Sequence, residues 1–199
     1  MILLNLMLVP TMAEEKDKPK FVVRKAEEYP AHQKAEDVTI AAETFATDSV
    51  CRQVFEYKDL VSRGILPVLI VVENRSKSAI EIDSRTILLI LAESKLQPME
   101  LPQLYGLLKK KPSNISLPLP IPKISGTDSK FSLIEGKSFE TKRIPPGLSD
   151  YGFVFYHLPR KDMWKQILHL YLPRILNMET RQNLLYFEIP LKSAPDQKS

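Results

Sequence analysis

The run 64–76, Gly-Ile-Leu-Pro-Val-Leu-Ile-Val-Val-Glu-Asn-Arg-Ser, constrains this chain more than any other segment. Its apolar residues do not alternate with polar ones. Val68, Ile70 and Val72 point one way and Leu69 and Val71 the other, so both faces of a strand over 66–73 need cover and the strand is predicted to lie between layers. Pro67 has no N–H to give to a ladder, which places it at the entry of the strand. Asn74, Arg75, Ser76, Lys77 and Ser78 carry turn chemistry and end it.

Other segments repeat the theme. Ile-Pro-Pro-Gly at 144–147 is a second sharp turn, and an aromatic strand follows at 151–158. Val38, Ile40 and Ala42 alternate over 37–43; Ile80 and Ile82 point inward over 79–83; the strand 86–91 is apolar on both faces. The segments 138–144, 167–172 and 184–191 complete the set, with 21–24 as a short further candidate. In 167–172, Leu168, Leu170 and Leu172 share one face, His169 and Tyr171 the other. Seven to nine short strands predict a mainly β chain, an immunoglobulin-like β-sandwich. One or two short helices are expected beside it. Thr47 supplies N-cap chemistry for Val50, Cys51, Val54 and Phe55 at helical spacing. Leu101, Leu104, Tyr105 and Leu108 show the same spacing within 98–111, with Pro102 in the first turn. Residues 125–130 have the composition of a loop.

With 199 residues, 44% of them apolar, the chain can bury one core without disulfides or metals. The apolar run 1–10 gives way to Thr11, Ala13 and then Glu14, Glu15 and Lys16. Residues 1–13 are therefore read as an export signal with Thr11 and Ala13 at signal-peptidase spacing, which places the protein in the periplasm or outside the cell. If 1–13 is not a signal, the location is cytoplasmic. The apolar run is too short to span a bilayer, and a transmembrane protein is not expected. Residues 14–36 read as a polar linker, 37–191 as a single sandwich domain with a proline-rich insertion at 95–135, and 192–199 as a polar tail.

Catalytic signatures are missing. No phosphate-binding glycine loop and no Gly-x-Ser-x-Gly elbow occurs, and no cofactor is expected. Cys51 lies in an apolar helical stripe and reads as a buried structural thiol. His32, His157 and His169 lack metal-ligand spacing. Asp150, His157 and His169 are the residues a hydrolase would have to use. Asn74 and Asn114 begin glycosylation sequons, which matter only in a eukaryotic secretory setting. Net charge is uneven, −3 over 1–108 and +6 over 109–165. The positive stretch suits an anionic surface, but lacks the aromatic–basic interleaving of a nucleic-acid module. Leu117, Pro118, Leu119, Pro120, Ile121 and Pro122 form an extended, donor-poor segment that either docks in an aromatic groove or straps over the sheet. With Lys109, Lys110 and Lys111 they make the candidate interaction surface.

Val-Thr-Ile-Ala-Ala at 38–42, the run 64–74, Ile-Pro-Pro-Gly at 144–147, Gly-Phe-Val-Phe-Tyr at 152–156 and Tyr-Phe-Glu-Ile-Pro-Leu at 186–191 together resemble uncharacterised bacterial exported or lipoprotein-like proteins with an immunoglobulin-like domain. The resemblance covers 37–191 and carries no catalytic residue. It departs from the lipoprotein members in having no cysteine after the apolar start. It implies an envelope domain. The expected function is thus a non-enzymatic binding or assembly module for a protein or envelope component. The alternatives are a carrier of a lipid or other apolar small molecule near 98–123, and an unrecognised hydrolase.

Overall fold

Ile65–Asn74 forms a ten-residue strand in which every residue is buried. The computed structural model around it describes residues 21–92, 94–109, 129–184 and 186–191. In chain order the elements are β1 (His32–Ala35), β2 (Val38–Thr44), α1 (Asp48–Phe55), β3 (Ile65–Asn74), β4 (Ile80–Ile82), β5 (Leu88–Leu91), β6 (Lys95–Leu96), α2 (Leu101–Lys109), α3 (Ser129–Lys137), β7 (Lys142–Ile144), β8 (Ser149–His157), β9 (Ile167–Leu172), β10 (Ile175–Asn177) and β11 (Phe187–Pro190). The chain is mainly β. All named strand pairs are antiparallel and make three sheets, with orders β1-β2-β3-β8, β10-β4-β7 and β11-β9-β5-β6.

The two apolar faces of β3 serve two cores. Leu66, Val68, Ile70 and Val72 share one with Ile80, Ile82 and Ile144 of the second sheet and Leu89, Leu170, Phe187 and Ile189 of the third. Ile65, Leu69 and Val71 face the other, closed by Cys51, Val54 and Phe55 of α1, Leu104 and Leu108 of α2 and Ile134 of α3. The strand lies between layers as its pattern requires, but the layer on the second side is helical. Phenylalanines fill it edge to face: Phe153 meets Phe55 at 4.7 Å and 73° and Phe45 at 5.0 Å and 87°. Pro67 sits at the third position of β3, where the β2 ladder ends. Its carbonyl accepts from Phe45 N at 2.9 Å, and its absent N–H falls beyond the last β2 pair.

Several elements depart from the sequence expectation. Residues 21–24 do not form a strand. The stretch 14–36, read as linker, instead holds β1, and Ala26 and Tyr29 within it are buried. β1 is polar and half-exposed, and its strand character comes from pairing with β2 across Glu36 and Asp37, whose φ angles of 49° and 61° give both central residues of the hairpin the left-handed conformation. The third helix, α3, was not expected; it begins inside the segment 125–130 read as loop and runs on to Lys137, and among its described side chains Ile134 alone is fully buried. The expected strand 138–144 shortens to β7, because Ser138 and Phe139 join the edge of β8 instead. In β5 only Leu89 and Leu91 are buried, while Leu88 and Ile90 stay half-exposed.

Buried polar groups fasten the layers. Asn74 is fully buried, and its Nδ2 donates to Ser78 O and Ile144 O, both at 2.9 Å. Its Oδ1 accepts from Ser76 N at 3.1 Å and from Ser76 Oγ at 2.6 Å. A side chain so engaged is no glycan acceptor in the folded protein. On the opposite face, Glu73 Oε1 accepts from Ala26 N at 2.7 Å, and Arg75 bridges Glu73 to Glu27 at 2.9 and 3.0 Å. Thr39 stands directly across from Glu73, and its buried hydroxyl has no partner among the described residues. Asn74→Ala strands two buried carbonyls and is expected to cost about 3 kcal/mol, read as a lowered denaturant midpoint. Thr39→Val removes an unpaired hydroxyl at constant shape and is expected to stabilise by about 1 kcal/mol in the same measurement.

Candidate functional site

Of the surface expected to carry function, Lys109 lies within the described residues. Lys110, Lys111 and 117–122 lie outside them. Lys109 ends α2, with its Nζ 5.6 Å from the ring centroid of Phe131 on α3. That cation–π contact ties two helices of the outer layer together.

The hydrolase candidates are kept apart. Asp150 and His157 lie at opposite ends of β8, seven residues or roughly 23 Å of extended chain from each other. Asp150 accepts from Lys142 Nζ at 3.1 Å and from Tyr151 N at 2.7 Å. His157 is exposed. His169 belongs to the third sheet, where its Nε2 lies 3.0 Å from Glu188 Oε1. No group of three metal-ligating side chains gathers among the described residues. Cys51 is buried in α1 and donates to Phe45 O at 3.3 Å. Burial, with Asp48 adding to it, pushes its thiol up to about 12. The thiolate needed for nucleophilic chemistry is thus disfavoured.

An open groove lies along the outer edge of β8. Gly152 has no side chain, and a Cβ there would come within 2.8 Å of the backbone of Phe139. The bare backbone lets Phe139 N donate to Phe153 O at 2.8 Å, while Met99 N donates to Phe155 O at 2.7 Å. These two crossings cover an edge that would otherwise invite pairing with another chain. Between them opens a volume of about 560 Å³, walled by Met99, Leu101 and Phe139 with Arg85, Glu100 and Thr141 at its polar side. Arg85 forks onto Asp83, Nε to Oδ1 at 3.0 Å and Nη2 to Oδ2 at 2.8 Å, and Thr141 adds a 3.3 Å bond. The Arg85 guanidinium holds the Asp83 carboxyl below its usual range. The arrangement can hold a molecule with apolar and polar parts. It draws on four separated segments, of which 98–102 alone falls in the expected insertion, so no local motif announces it.

The outer face of the third sheet is a second open surface. Tyr171 pairs with Leu88 on one side and Glu188 on the other; His169 pairs with Ile90 and Pro190. Leu88, Ile90, His169 and Tyr171 are half-buried on this face, and Tyr186, 54% exposed, meets Tyr171 with ring centroids 5.7 Å apart. The signal for it was present in the sequence as a strand at 86–91 apolar on both faces.

No family model matches the chain, and no curated protein does. Two solved structures from Bacillus subtilis are similar to it at low identity. The YjhA protein is 9% identical, with a TM-score of 0.43 over 82% of this chain and 98% of that one. The candidate lipoprotein YcdA is 11% identical, with a TM-score of 0.40 over 80% of this chain but 38% of YcdA.

Two outcomes follow from this geometry. Gly152→Ala must displace Phe139 and is expected to cost about 2 kcal/mol, measured by chemical denaturation. The Cys51 thiol should resist a disulfide reagent in the native protein and react once unfolded. Its folded pKa lies above the unfolded value of about 8.5, so the stability it confers is complete below that pH and declines as pH rises toward 12. Thermal melts should therefore show an alkaline loss of stability that is reduced in Cys51→Ala.

Proposed function

We propose that this chain is a non-enzymatic binding or assembly module of the bacterial envelope, built on a variant of the immunoglobulin-like sandwich. It engages its partner through the open face of the third sheet. The observation that carries the reading is the apolar row of half-buried Leu88, Ile90 and Tyr171 beside the exposed Tyr186. A partly exposed apolar row on the outer side of a sheet is the kind of surface that contacts another molecule. The envelope location rests on residues 1–13 read as an export signal and on the resemblance to exported proteins. No helix among the described residues is long and apolar enough to cross a membrane.

A second reading, a carrier of an apolar small molecule, has its own observation in the groove beside Met99, Leu101 and Phe139. An added mass in native mass spectrometry supports the carrier. Empty protein with no thermal shift from lipids ends that reading.

The module itself is tested in cells. Fractionation should find the protein outside the cytoplasm with 1–13 removed. Photo-crosslinkers placed at Ile90 and Tyr186 should form adducts, whereas one at Val50, on the helical side, should not. Cytosolic protein that retains 1–13, or equal crosslinking at Val50, overturns the proposal.

A further inference from the structure

We infer that the groove beside β8 takes a small apolar molecule that carries a cation next to a hydrogen-bond acceptor, the pattern of an apolar amino-acid amide. This rests on the carrier reading of the groove, and it names the class of ligand. Three features select that class: the apolar walls, a backbone donor in the floor and the charge at the rim.

The donor follows from strand geometry. Phe153 and Phe155 border the groove although they are 1% and 2% exposed, and their rings belong to the helical core, so the groove meets their backbone. Alternate residues on one edge of an antiparallel strand turn both N–H and C=O outward. Phe153 O accepts from Phe139 N and Phe155 O from Met99 N, so 153 and 155 are the outward residues. The N–H of Phe155 stands between those two carbonyls along the chain, and therefore between the two crossings. No described residue accepts from it. A buried N–H without an acceptor costs free energy that a ligand oxygen restores.

The charge follows from the same crossings. Glu140 comes directly after Phe139 and Glu100 directly after Met99, so each crossing delivers a carboxylate to the rim. Neither has an ion-pair partner among the described residues. Among the described residues Arg85 is the one cation bordering the groove, and it is already forked onto Asp83. The rim is thus acidic in a chain whose net charge is +4. An anionic amphiphile sets like charge against Glu100 and Glu140. A purely apolar molecule leaves the Phe155 N–H unserved. An amine beside a carbonyl meets both demands. Its carbonyl oxygen accepts from Phe155 N, its ammonium faces the two carboxylates, and its apolar body lies against Met99, Leu101 and Phe139. The volume of about 560 Å³ admits a ligand of drug size.

Titration of the full purified chain, followed by calorimetry and amide NMR, tests the inference. Leucine β-naphthylamide, an apolar amine with an adjacent carbonyl, should bind. The amide proton of Phe155 should move downfield and exchange more slowly in the complex. N-acetyl-leucine β-naphthylamide keeps the carbonyl and the apolar body but lacks the charge; it should bind at least about tenfold more weakly, as should laurate. Glu100→Gln combined with Glu140→Gln changes two exposed side chains. It should weaken the free amine about tenfold, with unchanged circular dichroism, and leave the acetylated compound unaffected. If laurate or the acetylated compound binds as tightly as the free amine, or the Phe155 amide is unmoved in the saturated complex, the inference is overturned while the carrier reading stands. A chain that binds none of the three also overturns the inference, and if it is empty and shows no thermal shift from lipids the carrier reading falls with it.

Discussion

The carboxamide of Asn74 is the constraint on which the layering depends. It stands at the end of β3, the strand shared by both cores, and its Nδ2 reaches both the start of the β4 connection at Ser78 and the last carbonyl of β7 at Ile144. The backbone of the same residue completes the junction: Asn74 N donates to Leu148 O at 3.0 Å, and Gly147 N donates to Asn74 O at 2.7 Å. Two turns 70 residues apart are thus closed onto one side chain, whose two donors and one oxygen are all engaged. A saturated buried amide of this kind admits one register. It fixes where the second sheet lies over the first.

Its neighbour does the corresponding work on the other face. Successive residues of a strand point to opposite sides, so Glu73 faces the helical layer while Asn74 faces the sheets. Glu73 takes the N–H of Ala26 and binds Arg75, which reaches Glu27. The segment before β1 is thereby held against the first sheet, and Tyr29 is buried there. The two polar residues that end an apolar strand are not simply its stop signal. Each ties down a different layer.

This division explains what could be read from the sequence. Apolar strands with a strong pattern were legible: β3, β4, β8, the inner face of β9 and the closing β11. So was α1, whose N-cap Thr47 accepts from Val50 N at 3.4 Å. What escaped was structure whose cause is tertiary. β1 is polar, and its hairpin uses Glu36 and Asp37 where Asn-Gly would have announced the turn. Among the described side chains of α3 only Ile134 is fully buried, too little to show a period. The groove follows from a missing Cβ at Gly152 and from two backbone crossings, neither of which leaves a pattern in adjacent residues.

The three layers also say which surface is anomalous. The first sheet is enclosed, so apolar residues on both its faces need no further account. The second and third sheets are outermost, and an outer sheet should be polar on its far side. The second sheet obeys: between the buried Ile80 and Ile82, Glu81 points out and pairs with Arg143 at 3.3 Å. The third does not. At the equivalent outward positions β5 places Leu88 and Ile90, and β9 places Tyr171 beside an exposed Tyr186. Both sheets close the same core, so the needs of that core cannot account for the difference between them. Outward Leu88 and Ile90 are only half-buried within one copy, and water at that face favours charged side chains such as those of the second sheet. The apolar outer side of the third sheet is what the proposed contact with a partner would account for.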